Sequence, residues 1–175
     1  VEAIREHVAA GDVYQVNLCR VLSAPLPPAE DLLALAHRLA AGNPAPFAGF
    51  LRLPDREVVC ASPELFLRRD GRIVASSPIK GTGVTAADLL PKDVAENVMI
   101  VDLVRNDLGR VAVTGTVAVS GFLDVEEHPG LVHLVSTVSA EMVDGVGWRQ
   151  LFDATFPPGS VTGAPKSSAL RIIDE

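Results

Sequence analysis

Between Lys92 and Leu108 the chain is largely apolar, interrupted by polar residues that include Asp93, Glu96, Asn97, Asp102, Arg105 and Asn106. A helix with so little polar surface must be covered, and strand-like segments lie on either side of it in sequence. The pattern therefore predicts a helix buried against a sheet. Wholly apolar runs, such as Val98 to Val101, fall far short of the roughly 18 residues needed to cross a bilayer. No membrane association is expected.

The flanking segments can be read by period and punctuation. Ile4 and Val8 before Gly11 predict a helix over residues 1–10 with a glycine stop. From Asp12 to Leu22 the apolar residues alternate: Tyr14, Val16, Leu18 and Leu22 share one face, and Gln15, Asn17 and Cys19 share the other. The second face of this predicted strand could turn polar groups into a site. Pro25, Pro27 and Pro28 predict a loop, and Leu32 to Leu39 a helix ended by Gly42 and Asn43. Strands are predicted at 47–53, 57–61, 64–69 and 72–76, with turns at Pro54-Asp55 and Asp70-Gly71. Two more are predicted at 111–120 and 131–141, then a helix at 148–154 and a last helix with Pro165 in its first turn. Hairpins grouped together, with helices between the groups, indicate an α+β fold of mostly antiparallel sheet with helices packed outside. No repeat or linker divides the chain, so residues 1–175 are expected to form one domain.

Composition excludes several classes of function. With 48% hydrophobic and 21% charged residues, the 175-residue chain can bury a core and is not a disordered segment. A formal charge of −7, with only 15 scattered Lys and Arg, argues against nucleic acid as a partner. Cys19 and Cys60 are far apart without metal-type spacing, and no secretory leader opens the sequence. These features predict a reducing, cytoplasmic setting with both thiols packed in strands.

Four segments carry candidate chemistry. Asp93 and Glu96 stand three apart on the apolar helix, so both carboxylates share a face. Either a hard cation such as Mg²⁺ or internal salt bridges to Arg105 or Arg110 would satisfy them. The run from Pro157 to Lys166 has glycines that free backbone N–H groups, a proline that starts a helix, and a lysine at the positive helix end. It has the physics of an anion cradle without Walker spacing, and a tight connection with a surface lysine explains it equally. Lys80, in Ser76-Ser-Pro-Ile-Lys-Gly-Thr82, is an ordinary solvated lysine unless it faces a closed pocket, where a neutral amine becomes a nucleophile. Glu64, after Ser62-Pro63, is an exposed acid or, if buried, a proton donor.

Taken in order, Gly11-Asp-Val-Tyr-Gln-Val-Asn-Leu18, Ser62-Pro-Glu-Leu-Phe66, Pro78-Ile-Lys-Gly-Thr82, Lys92-Asp-Val-Ala-Glu-Asn97 with Asp102-Leu-Val-Arg-Asn-Asp-Leu-Gly-Arg110, His133-Leu-Val-Ser136 and Gly163-Ala-Pro-Lys166 resemble the chorismate-utilising enzymes over essentially the whole chain. That family includes anthranilate, aminodeoxychorismate, isochorismate and salicylate synthases. Water-adding members carry a lysine where this chain has Gln15, and anthranilate synthases an alanine where it has Lys80. The pairing of Gln15 with Lys80 resembles the aminodeoxychorismate synthase component I branch.

The resemblance implies amination of chorismate at C4. Lys80 would be the nucleophile, Glu64 the proton donor, and His133 a neighbour of the ring and its leaving group. Gln15, Gly81, Thr82, Gly163, Ala164 and Lys166 would bind substrate, and Glu96 with Asp93 would hold Mg²⁺. It implies ammonia from a glutamine amidotransferase subunit or domain. It also implies a larger catalytic domain, whose second metal carboxylate and pyruvyl-binding tyrosine and arginine fall after Glu175. Residues 83–91 depart from the family in being short and lacking arginine, and His128 stands where tyrosine is usual.

Overall fold

A computed structural model describes residues 1–27 and 31–174. Pro28 of the predicted loop and Glu175 lie outside the described residues. The chain forms two compact units, one of Val1–Cys19 with Phe66–Glu175 and one of Arg20–Leu65.

The smaller unit is an antiparallel hairpin with its own helix. Helix α2 (Leu32–Gly42) is capped by Asp31, whose carboxylate accepts the Leu33 N–H at 3.0 Å. Strands β2 (Phe47–Arg52) and β3 (Glu57–Ser62) pair from Phe47↔Ser62 to Arg52↔Glu57, and α2 packs on them. The Pro54-Asp55 turn closes with Leu53 N–H donating to the Arg56 carbonyl at 2.8 Å.

The larger unit is built around one strand. It begins with α1 (Glu2–Ala10), which stops at Gly11 with φ +83° as its glycine predicts. Strands β4 (Leu65–Asp70), β5 (Ile73–Ser77), β6 (Ile79–Gly83), β7 (Ala118–His128) and β8 (Leu131–Glu141) form a five-stranded sheet in which β8 pairs antiparallel with β5, β6 and β7. β5 and β6 follow one another along the same edge of β8 in unbroken register, Ser76↔Val138 then Ile79↔Val135. Between them Ser136 N–H donates to the Pro78 carbonyl at 3.2 Å, so the proline, which has no donor of its own, interrupts the ladder without shifting it.

Helix α3 (Pro91–Gly109) lies on this sheet, as its apolar surface requires, and α4 (Trp148–Thr155) packs beside it. The core between them contains Val74, Val101, Leu108, Val138, Met142 and Leu151. A short 3-10 turn, Ala86–Asp88, precedes α3. Strand β1 (Gln15–Val16) pairs with β9 (Gly163–Ala164), and α5 (Lys166–Asp174) ends the described chain. The α+β class with antiparallel pairing is what the structure shows. Among the described residues no helix is long and apolar enough to cross a membrane.

Four sequence expectations are corrected. The strand predicted over 12–22 shrinks to Gln15–Val16, because its partner segment is as short, pairing at Gly163 and Ala164; Tyr14, Leu18 and Leu22 are exposed and Val13 is the buried residue. The strand predicted at 111–120 begins at Ala118, and the residues before it meet β8 through the bridge Ala112↔Met142 and the Thr116 hydroxyl, which accepts the Glu141 N–H at 3.2 Å. Pro165 precedes α5 and accepts the Ala169 N–H at its carbonyl, acting as a cap rather than a first-turn residue. Both cysteines are exposed, and Cys19 lies outside any strand.

Candidate functional site

The sheet presents Lys80 through a defect. Ile79 pairs with Val135 and Thr82 with His133, so β6 spends one residue more than β8 over the same interval. Such a bulge bends the strand and re-aims a side chain. Gly81 makes it feasible. Its φ of +96° suits glycine, and an added Cβ would lie 2.8 Å from Asp93 Cβ and 3.3 Å from Leu134 Cβ. The strand carrying Lys80 thus reaches the first turn of α3 where Asp93 stands.

Lys80 Nζ donates to the Ser160 carbonyl at 3.4 Å. The same oxygen accepts from Asn17 Nδ2 at 3.1 Å, and Asn17 Oδ1 accepts from Gln15 Nε2 at 3.2 Å. Three distant segments, at β1, the β6 bulge and the glycine-containing loop, therefore converge on one carbonyl. The polar face read at Gln15 and Asn17 turns toward Ser160. Gly163 permits the approach: its φ is +152°, and a Cβ there would come within 2.2 Å of the Gln15 carbonyl oxygen. Ala164, its neighbour in β9, is buried.

His133 is buried on β8 and its Nδ1 lies 2.9 Å from Thr82 Oγ1, across the bulged pair. Its ring stands 5.1 Å from that of His128. Behind it, Asn97 of α3 donates to the Leu134 carbonyl at 3.1 Å and accepts from Ser136 Oγ at 2.6 Å, and Ser136 Oγ accepts the Leu123 N–H at 2.9 Å. Asn97 is fully buried, so this chain of bonds fixes α3 in register with β8. Leu123 sits in a bulge of β7 with φ +58°, a conformation the bond from its N–H helps hold.

The two candidate metal carboxylates are half-buried on α3. Asp93 Oδ2 accepts the Leu90 N–H at 2.8 Å and so caps the helix, a role the sequence reading missed. The salt-bridge alternative finds its arginines engaged elsewhere: Arg105 pairs with Asp102 at 3.1 Å and Arg110 donates to the Ala154 carbonyl at 3.3 Å. Among the described residues no cluster of three or more His, Cys, Asp and Glu could hold a metal. What stands on α3 is a pair of hard oxygen donors, which suits a cation that keeps most of its waters.

Lys166 is where the structure departs most from the anion-cradle expectation. Its ammonium donates to Asp107 Oδ2 at 2.6 Å and to the Thr155 carbonyl at 3.5 Å, and the two charged side chains are only 15% and 7% exposed. Burial pushes the Asp107 carboxyl above its usual range, with Lys166 and Arg110 pulling the other way. Asp107 went unassigned in the sequence. The signal was there, since Asn97, Ile100, Val104 and Asp107 follow the 3–4 spacing of the buried stripe. Glu64 belongs to the smaller unit, half-buried in the turn after β3, where Ser62 Oγ accepts its N–H at 3.2 Å.

The sequence pattern of the chorismate binding enzymes matches residues 1–175. Aminodeoxychorismate synthase component 1 of Bacillus subtilis is 39% identical over 100% of this chain and 39% of its own length. The Escherichia coli protein of that name is 42% identical over 98% of this chain and 40% of its own length. Anthranilate synthase component 1 of Thermus thermophilus is 42% identical over 100% of this chain and 41% of its own. The chain thus spans about two-fifths of the length of these relatives. The crystal structure of anthranilate synthase component I from Streptococcus pneumoniae superposes with a TM-score of 0.80 at 30% identity, over 98% of this chain and 40% of that one. With the family pattern covering every residue and relatives of about this identity over nearly the whole sequence, the chain belongs to the chorismate binding enzyme family.

Proposed function

We propose that this chain is the Lys80-bearing part of an aminodeoxychorismate synthase component I, which aminates chorismate at C4 with ammonia to give 4-amino-4-deoxychorismate for 4-aminobenzoate and folate synthesis. The observation that supports the reading is the β6 bulge, which sets the lysine at the carbonyl that Asn17, itself bonded to Gln15, also reaches. Glutamine has no basic atom with which to activate water, whereas an amine can attack the ring itself.

In this reading the Lys80 nitrogen forms a bond to C2 as the ring double bond shifts and the C4–O bond breaks. The hydroxyl leaves as water with a proton from an acid, the part the resemblance assigns to Glu64. Ammonia then bonds to C4, the double bond shifts back, and the lysine nitrogen departs. The resemblance puts Thr82 and His133 beside the ring, and the backbone of Gly163 and Ala164 would bind a substrate carboxylate. Glu96, steadied by Asp93, would hold Mg²⁺, which would neutralise the ring carboxylate. The ammonia would come from a glutamine amidotransferase partner.

Mass spectrometry of products from chorismate, ammonia and Mg²⁺ tests the proposal. The expected result is aminodeoxychorismate from the unmutated protein and none from Lys80→Ala. Unchanged output from Lys80→Ala would remove the lysine from the mechanism. Similarity to anthranilate synthases supports a second reading, in which the unmutated protein releases pyruvate and a fluorescent aminobenzoate. Metal-dependent chorismate binding without turnover, by calorimetry, would leave a binding module.

A further inference from the structure

We propose that Lys166 acts through Asp107 as a latch that sets the loop of residues 156–165 against Lys80, a positioning residue and not a ligand of the substrate carboxylate. The assignment to the Lys80 site rests on the function proposed above; the latch itself rests on geometry. A lysine in the first turn of a helix opposes the helix dipole, so its charge must be answered from elsewhere. Here it is answered twice, by Asp107 of α3 and by the Thr155 carbonyl at the C-terminal end of α4, where a cation is favoured. One ammonium therefore ties together α3, the end of α4 and the start of α5.

The loop between those ends is fixed at each point that bears on Lys80. Its first residues leave α4 beside Arg110, which donates to the Ala154 carbonyl. Gly159 lies so close to α3 that an added Cβ would be 2.8 Å from Leu103 Cδ1. A turn from Pro158, whose carbonyl accepts from the Val161 N–H at 3.2 Å and Thr162 Oγ1 at 3.0 Å, makes the middle of the loop move as a piece. That piece carries the Ser160 carbonyl met by Lys80 and Asn17. Loosening the Lys166 end therefore displaces the acceptor of Lys80. A ligand role for Lys166 would instead require its ammonium to leave a buried carboxylate uncompensated, which is costly.

The experiment compares Lys166→Met, Asp107→Asn, Lys166→Arg and the double variant Lys166→Met/Asp107→Leu, by hydrogen exchange of the 156–165 amides and by steady-state kinetics with chorismate. As a latch, each of the first two single variants speeds loop exchange at least tenfold and lowers kcat in parallel. Lys166→Arg keeps protection, and the double variant, with no buried charge left alone, regains most of it. A tenfold rise in KM for Lys166→Met with loop exchange unchanged, and no recovery in the double variant, overturns the proposal. Should Lys166→Met fail to fold, a folded double variant with a protected loop supports the latch and an unfolded one overturns it. If the unmutated protein does not turn over chorismate, the functional reading fails while the exchange data still decide the latch.

Discussion

Strands β8 and β1 both bring residues to the Lys80 neighbourhood, and they are held in opposite ways. β8 is paired along both edges, and none of its residues is exposed, with Asn97 and Ser136 bonding it to α3. β1 has two paired residues, one of them opposite Gly163, and its flanks at Tyr14 and Leu18 are open to solvent. The difference teaches where precision is invested. Lys80 and His133 sit on strands that β8 and α3 hold in place, whereas Gln15 and Asn17 depend on a two-residue ladder and one shared carbonyl.

The contrast can be broken from the β8 side first. Asn97→Leu leaves Ser136 Oγ and the Leu134 carbonyl buried without their partner, and a loss of about 3 kcal/mol in chemical denaturation is expected. A loss under about 1 kcal/mol would mean that the seam does not depend on this network. On the β1 side, Gly163→Ala forces a Cβ onto the Gln15 carbonyl and is expected to cost about 2 kcal/mol, concentrated locally. Amide exchange at Tyr14 and Asn17, which donate to Ala164 and Thr162, should accelerate far more than exchange in β8. Uniform acceleration would show β1 and β8 to be one cooperative unit. Asp93→Ala removes the acceptor of the Leu90 N–H and should cost about 1 kcal/mol in thermal unfolding, while Asp93→Asn should keep the cap. Mg²⁺ dependence weakened in Asp93→Asn would separate a metal role from capping.

The smallest effect is a slope. Asp107 has a raised carboxyl pKa in the folded chain, so folding retains a proton that the unfolded chain gives up. Its contribution is full below the ordinary value of 3.8 and is lost as pH rises through the raised one. Unfolding free energy measured upward from that pH should decline in the unmutated chain and decline less in Asp107→Asn. A slope unchanged by the substitution would assign the effect to other groups.

Much of this was legible in the sequence, for identifiable reasons. α3 declared itself because an apolar surface of that extent has one solution, and Gly11 and Gly71 marked a helix stop and a turn by local chemistry alone. β7 was misplaced because alternation at 111–119 imitates a strand, while the true strand, 118–128, hides its period behind two bulges. The Lys80 bulge was invisible for the same reason: one extra residue is defined only against a partner strand. The pairing of Lys166 with Asp107 spans 59 positions, and no local pattern reports such a contact.

The continuity of β5 and β6 along β8 has a consequence for how relatives of this chain can vary in length. Side chains alternate faces along a strand, so gaining or losing one residue between Ser77 and Ile79 would turn Lys80 to the opposite face of the sheet. The exposed stretch around Ala86–Asp88 is under no such constraint, because it joins a strand to a helix instead of sharing a ladder. Insertions and deletions should therefore accumulate after Gly83 and be absent from the Pro78 crossing.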